Sequence, residues 1–291
     1  MTVTDAAGAT VTLKDGPARR VVALEWEYAE ILTTLGKGDR IVGMSDMNGY
    51  NTSVSGAVPL TSKPADVGER LEPSVESIAD LHPDVIVASA RSIPQSVRGQ
   101  LAAIAPVLVL DMKGANDPLD GVKQTTATLG KLVGSEDVAR DWSAKLDAAL
   151  ASNSTKIQEA GASGKHATFA YVFAKGSTAS IRMHVPGSAP NAVIEKLGLK
   201  PAWTDSAAKG GLSYLDVEGL TRLPADTWFL YWDEVVNPVE KNLAGNKLWS
   251  SLQFVKDSHV AGVAKGVWVY GGPQSLITFS DQVTAALTTA R

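Results

Sequence analysis

The sequence contains no cysteine. It therefore offers neither a disulfide framework nor a thiolate site, which suits a protein that is exported through an oxidising space. No apolar run approaches the roughly 20 residues that a membrane helix needs, so we expect no membrane span. The formal net charge is -4. Because binding to phosphates needs a concentrated basic surface, nucleic acid is not an expected partner.

Motifs for catalysis and cofactor binding are also missing. No G-x-G-x-x-G follows a predicted strand, no G-x-S-x-G occurs, and residues 161–165 lack the first glycine and the Ser/Thr of a phosphate-binding loop. The four histidines are scattered, without the spacing of a transition-metal site. We therefore expect no enzyme, no metal held by protein ligands and no resident cofactor.

The chain length and the hydrophobic pattern together predict two α/β lobes. At 291 residues the chain exceeds the size at which a single core usually stops growing. Strand and helix patterns alternate before residue 111 and again after residue 164, which is typical of mostly parallel sheets. Between them, apolar residues recur every three or four positions, with an interruption at Gly134. We predict an N-terminal lobe (1–116), a long linking helix region (117–163) and a C-terminal lobe (164–291).

The individual elements follow from the period of the apolar residues. After a hairpin over 3–13, strands are predicted at 20–24, 41–44, 84–88, 107–110, 168–173, 228–232, 260–264 and 267–270. Helices are predicted at 27–35, 75–81, 96–104, 191–197, 217–223 and 249–253, and from residue 276 onward.

The two lobes share an internal repeat. Residues 74–87 align without a gap on residues 216–229. Both segments place a glutamate early in a short helix, a leucine five residues later and an aspartate just before a strand. The repeat favours pseudo-symmetric lobes and gives each lobe one equivalent surface acid, Glu76 or Glu218.

Three side chains near strand ends are candidates for ligand binding, because open α/β sheets bind ligands at the carboxyl ends of their strands. Trp26 follows the first apolar strand, Arg70 lies in a loop before a helix, and Tyr270 precedes two glycines. Taken alone, each residue also has a purely structural explanation. The two aromatic residues could be core residues, and the arginine could form a surface ion pair.

Three segments carry a resemblance to a known family. They are R-V-V-A-L-E-W (20–26), D-V-G-E-R-L-E-P-S-V-E (66–76) and V-W-V-Y-G-G (267–272). With them the chain closely resembles the ferric-hydroxamate-binding proteins of bacterial siderophore ABC transporters, over nearly its whole length. The resemblance implies two Rossmann-like lobes joined by a long α-helix, the class III periplasmic-binding-protein architecture, with a shallow cleft that closes little.

The resemblance also implies roles for particular residues. Arg70 and Tyr270 match residues that hydrogen-bond the iron-chelating hydroxamate oxygens, since a guanidinium and a phenol both donate without displacing the ligand from iron. Three tryptophans match residues that form apolar walls of the ligand pocket in the family: Trp26, Trp203 and Trp268. Arg182 and Trp232 are further candidate contacts.

Two positions depart from the family pattern. Lys209 stands before Gly210-Gly211 where relatives place a tryptophan, and Ser92, beside Arg91, stands where they place a tyrosine. Both changes replace an aromatic wall with polar or cationic groups. We therefore expect a more cationic pocket and a more acidic ligand, such as a mixed-donor or carboxylate-bearing siderophore.

The implied biology is a monomeric extracytoplasmic binding protein that delivers a ferric siderophore to an ABC-transporter permease. Glu76 and Glu218 match acids that dock on the permease, with solvated helix carboxylates as the alternative. We expect a location in the periplasm or a lipid anchor on the outer face of the membrane, with any export signal removed before residue 2. The alternatives are a haem-binding protein, with Met44, Met47 or His184 as iron ligands, a cobalamin-binding protein, or an enzyme with two nucleotide-binding-type lobes.

Overall fold

A computed structural model describes residues 1–112, 117–175, 178–205, 211–233 and 237–289. Its internal contacts divide the chain into two units. The first comprises Met1–Ala115, Asp120–Leu146 and Gly266–Ser275, and the second comprises Asn116–Leu119, Asp147–Lys265 and Leu276–Arg291. The chain therefore returns to the first unit late in the sequence, in a stretch that the predicted boundaries assign to the C-terminal lobe.

The described part of the first unit contains a five-stranded parallel sheet and two small antiparallel hairpins. Its strands are β1 (Thr2–Thr4), β2 (Thr10–Thr12), β3 (Val21–Ala23), β4 (Ile41–Met44), β5 (Ala65–Asp66), β6 (Gly68–Glu69), β7 (Glu72–Pro73), β8 (Val85–Ser89) and β9 (Val107–Leu110). The sheet order is β5-β4-β3-β8-β9. Strand β3 is completely buried, which explains why its sequence is a continuous apolar run.

The second unit contains a mixed sheet among its described residues. Its strands are β10 (His166–Lys175), β11 (Thr178–His184), β12 (Lys200–Pro201), β13 (Leu212–Leu215), β14 (Trp228–Trp232) and β15 (Val260–Val263). The order is β13-β11-β10-β14-β15, with β12 also paired to β10. Strands β10, β14 and β15 are parallel, whereas β11 runs antiparallel to both β10 and β13.

The helices carry most of the connections between strands. They are α1 (Trp26–Thr34), α2 (Met47–Ser53), α3 (Val75–Asp80), α4 (Arg98–Ile104), α5 (Pro118–Val133), α6 (Glu136–Glu159), α7 (Ala189–Lys196), α8 (Pro238–Leu243), α9 (Lys247–Ser251), α10 (Gln253–Lys256) and α11 (Pro273–Thr289), with 3-10 helices at Gly38–Arg40 and Glu218–Arg222. The predicted interruption at Gly134 is confirmed, because this glycine has φ +65° between α5 and α6.

The internal repeat is visible in the structure. Strands β8 and β14 take the same place in the two sheet orders, and each follows the short helix that carries Glu76 or Glu218. The repeat extends to a hydrogen bond near the start of each helix. Ser74 accepts a hydrogen bond from the Ser77 amide at 3.2 Å, and Asp216 accepts one from the Gly219 amide at 3.0 Å. The helix predicted at 217–223 is a 3-10 helix over Glu218–Arg222.

One predicted strand is wrong. Residues 267–270 form no strand, because the backbone leaves β15 through left-handed conformations at Ala264 (φ 62°) and Gly266 (φ 63°). The segment 266–275 then packs within the first unit. Its aromatic residues are therefore positioned by side-chain contacts rather than by a sheet.

Candidate functional site

Arg70 occupies the tip of a tight hairpin in the first unit. Strands β6 and β7 pair through Glu69 and Glu72, so Arg70 and Leu71 form the two-residue turn. The hairpin depends on Gly68, which has φ +97° and would place a Cβ only 2.9 Å from the Glu72 carbonyl oxygen. A glycine is required where a left-handed backbone approaches another strand this closely. The D-V-G-x-R segment of the sequence thus builds the turn that presents the arginine.

The Arg70 guanidinium is held by a buried carboxylate and two indole rings. Its Nε and Nη2 both donate to Glu25 Oε2, at 2.8 and 2.6 Å. Its central carbon lies 4.4 Å from the ring centroid of Trp26 and 5.0 Å from that of Trp268. The two indoles contact each other edge to face at 4.9 Å. Cation–π contacts and a charge-assisted pair together fix the guanidinium in one orientation.

Glu25 is held in place by Ser89, the last residue of β8, and indirectly by Ser92, three residues later. Ser89 donates its hydroxyl to Glu25 Oε1 at 2.7 Å, and Ser92 accepts the Ser89 amide at 2.9 Å. Ser92 is completely buried, so it acts on the site through Ser89. Arg91 is exposed, and the described residues give it no ion pair.

The segment that carries Trp268 and Tyr270 is anchored to α1 by two further carboxyl groups. The Trp268 indole nitrogen donates to Glu27 Oε2 at 3.1 Å, and the Gly272 amide donates to Glu30 Oε1 at 2.9 Å. Tyr270 lies between these anchors and packs against Trp268, with ring centroids 5.3 Å apart. The structure therefore brings four predicted residues, Arg70, Trp26, Trp268 and Tyr270, to one place.

Two carboxyl groups of α1 are buried and form no ion pair with the described residues. The pKa of Glu27 is raised to about 7, chiefly by burial and also by the negative charge of Glu25, while Arg70 opposes the increase. Burial likewise raises the pKa of Glu30 to about 8, with a smaller contribution from Glu27. Both groups keep their protons at pH values where an exposed glutamate has lost its own.

We expect the free energy of unfolding to fall as the pH rises from about 5 to about 8. Below pH 4.5, the ordinary pKa of a glutamate, both side chains are protonated in the folded and in the unfolded protein. Above it the folded state binds more protons than the unfolded state, so stability is lost until the folded-state pKa is passed. Glu30→Gln retains an acceptor for Gly272 and should reduce this loss by on the order of 3 kcal/mol. Urea unfolding at pH 5.5 and at pH 8.5 measures the change in the free energy of unfolding between the two pH values.

The exposed helix carboxylate Glu159 gives the matched control for this measurement. Glu159→Gln should leave the pH dependence of unfolding as it is in the unaltered protein. Equal pH dependence in Glu30→Gln and Glu159→Gln would contradict the role assigned to the buried carboxyl group.

The second unit presents its own cationic and aromatic cluster, formed by Arg182, Tyr171 and Trp232. Arg182 on β11 lies over the ring of Tyr171 on β10, 4.9 Å from its centroid. Tyr171 contacts Trp232, the last residue of β14, at 5.2 Å. The Arg182 Nε is buried and has no acceptor among the described residues, nor do they supply an acid to pair with this arginine. Tyr214, opposite Arg182 on β13, is 64% exposed.

The remaining candidates lie elsewhere. Trp203 packs in the core of the second unit, with the Arg222 guanidinium 4.2 Å from its ring centroid. Lys209 falls outside the described residues. Glu76 and Glu218 are exposed in the first turns of their helices.

The residues proposed as haem ligands are not presented at either cluster. Met44 is completely buried and His184 is 1% exposed, whereas Met47 is half-buried at the start of α2. Burial and, to a smaller extent, the positive charge of Arg182 lower the pKa of His184 to about 3. In the described ranges no three His, Asp or Glu side chains are grouped as a metal site would require.

Sequence reasoning missed three residues of these clusters, Glu25, Glu27 and Tyr171. The two glutamates flank Trp26 at the carboxyl end of an apolar strand, which is the signal that could have found them. Their partners are 45 and 241 residues away in the sequence, so only the fold reveals why they are buried. None of the helices within the described ranges has the length and apolar content that a membrane span requires.

The fold and the two clusters define an α/β binding protein of the class III periplasmic type. The family model described as periplasmic binding protein matches residues 21–265. The chain belongs to this family, whose members are substrate-binding proteins.

Individual relatives agree with this assignment. The iron(3+)-hydroxamate-binding protein FhuD of Escherichia coli is 26% identical over 262 residues, covering 89% of this chain and 84% of that protein. The Fe(3+) dicitrate-binding periplasmic protein FecB of Escherichia coli is 30% identical over 271 residues, covering 92% and 83%. A crystal structure of the siderophore-binding protein FhuD from Vibrio cholerae, with Fe3+-Desferal bound, is 29% identical with a TM-score of 0.82, covering 94% of this chain and 98% of that one.

Proposed function

We propose that the protein captures a ferric siderophore outside the cytoplasm and delivers it to the permease of an ABC transporter. The observation that carries the proposal is Arg70, which Glu25 holds in a fixed orientation against Trp26 and Trp268. A fixed guanidinium donates to the clustered oxygens of an iron chelate, and the indole edges pack against its carbon backbone. The relatives named for iron-hydroxamate and ferric dicitrate support the same class of ligand.

The ligand combines hydroxamate donors with at least one acidic group. Arg70 and Tyr270 serve the hydroxamate oxygens. Arg182 in the second unit carries a positive charge that no acid of the described residues neutralises, and such an arginine favours an anionic group such as a carboxylate. Haem is the weaker alternative, because Met44 and His184 are too deeply buried to reach an iron atom without rearrangement.

A titration tests this function directly. Ferric trihydroxamates, ferric dicitrate, ferric catecholates, haem and cobalamin are each added while the fluorescence of the seven tryptophans is followed. We expect saturable quenching by ferric siderophores and none by cobalamin. Saturation by haem or cobalamin alone would contradict the proposal.

Arg182→Gln is expected to weaken binding of ferric dicitrate by about tenfold, because it removes a charge-assisted donor. Binding of the cationic ferric desferrioxamine B should change by less than about threefold, since that ligand gains nothing from a nearby cation. The matched control is Arg140→Gln, an exposed arginine paired only with Asp137 at the start of α6. Equal losses for both ligands in Arg182→Gln would show that the arginine serves packing alone.

A further inference from the structure

Glu25 accepts two of the five N–H groups of Arg70. A guanidinium presents five N–H groups on three nitrogens. In this protein Nε and Nη2 both donate to Glu25 Oε2, and the described residues provide no acceptor for Nη1. The arginine side chain is 24% exposed, whereas that of Glu25 is only 4% exposed. A ligand therefore meets chiefly the Nη1 edge of Arg70 and never the carboxylate directly.

The pair also removes the positive charge from this part of the surface. The carboxylate lies 2.6 Å from Nη2 and is fixed on its other oxygen by Ser89 at 2.7 Å. At this separation the two opposite charges act on a ligand as a dipole, whose field falls off much faster than that of a single cation. Arg182 in the second unit differs, because the described residues give it no acid partner. The two arginines thus have different electrostatic environments.

We propose that Glu25 is a specificity-determining residue, which compensates the charge of Arg70 so that this arginine selects the oxygens of an electrically neutral iron chelate by hydrogen bonding rather than an anionic chelate by ion pairing. The inference rests on the proposed function and deepens it, since it names the class of donor group taken at Arg70. A hydroxamate chelate of Fe3+ has this character, because three hydroxamates carry three negative charges that the metal cancels. Ferric dicitrate and ferric catecholates keep a net negative charge. An Arg70 whose charge is compensated by Glu25 therefore gives these anionic complexes no comparable gain in affinity.

The test compares two ferric complexes of opposite charge on one protein. Dissociation constants are measured by tryptophan fluorescence for ferric desferrioxamine B, a cation, and for ferric dicitrate, an anion prepared with excess citrate. Glu25→Gln removes the carboxylate that forms the ion pair with Arg70. We expect the ratio of the desferrioxamine B constant to the dicitrate constant to rise by about tenfold, the size of effect that one added charge produces near a protein surface.

Glu69→Gln is the matched control. Glu69 is the residue before Arg70 in the same hairpin, and it is exposed, so its charge is screened by water. The ratio in this variant should stay within about threefold of that in the unaltered protein. A ratio that rises as far in Glu69→Gln as in Glu25→Gln would overturn the inference, since any nearby acid would then have the same effect.

Glu25→Gln also removes a structural contact, so a second variant separates charge from folding. The combined Glu25→Gln and Arg70→Gln variant keeps this subsite neutral, and its ratio should equal that of the unaltered protein although both affinities fall. An unchanged ratio in Glu25→Gln, or a tenfold shift in the combined variant, would overturn the inference while leaving the proposed function intact. If the unaltered protein binds neither complex, the proposed function fails and the inference fails with it.

Discussion

Arg70→Gln is expected to weaken the binding of ferric desferrioxamine B by about a hundredfold. Hydrogen bonds from a charged donor contribute roughly 1.5 to 3 kcal/mol each, and every 1.4 kcal/mol is about tenfold in affinity. The variant also leaves the Glu25 carboxylate buried at 4% exposure without its cation. An unpaired buried carboxylate is strongly destabilising, so we expect the Arg70 hairpin to move and admit water to Glu25. Fluorescence titration measures the loss.

Arg70→Lys separates the contributions of charge and geometry in this prediction. A lysine keeps the positive charge near Glu25 but cannot donate from a planar fork, so we expect it to recover less than half of the lost binding free energy. Circular dichroism and urea unfolding of both variants establish that the fold is retained. A folded Arg70→Gln protein with an unaltered affinity would remove Arg70 from the binding site and, with it, the proposed role of Glu25.

Local sequence patterns predicted the parts of this fold that depend on neighbouring residues. The apolar runs of β4 and β9 and the break at Gly134 were found because burial and a left-handed turn leave marks within a few positions. The repeat was found for the same reason, since its matched glutamate, leucine and aspartate lie within one short helix-loop-strand segment.

The parts that escaped prediction depend on distant contacts. Residues 267–270 have the alternating pattern of a strand, but they pack against α1 through Glu27 and Glu30 instead. Glu27 lies in the first turn of α1 and Glu30 one turn later, where acids are commonly solvated, and only their partners in the late segment 266–275 explain their burial. Trp203 shows the opposite case, because an aromatic side chain near a strand end has the same local sequence whether it lines a pocket or, as here, the core.

Combined charge reversal of Glu76 and Glu218 is expected to abolish uptake while leaving ligand binding within about twofold. The two acids are the first-turn residues of equivalent helices in the two units, and both are exposed. They contribute nothing to the clusters around Arg70 and Arg182. If each docks on an arginine of the permease, Glu76→Lys and Glu218→Lys place like charges together, which costs several kcal/mol at an interface. Uptake of radiolabelled ferric siderophore, in cells that carry the cognate transporter but no other copy of the protein, should fall at least about tenfold.

Two other exposed acids of this protein provide the control for this experiment. Glu136 and Glu240 are also exposed acids in the first turns of helices, α6 and α8, but they lie outside the repeated segments 74–87 and 216–229. Their combined reversal to lysine changes the net charge and the helix-terminal electrostatics by the same amount, so it should leave uptake near its original rate. Unchanged transport by the Glu76→Lys and Glu218→Lys protein would reduce both acids to solvated helix carboxylates. Loss of transport in both pairs would assign the effect to total charge, and loss in the first pair alone ties it to the two positions that the repeat makes equivalent.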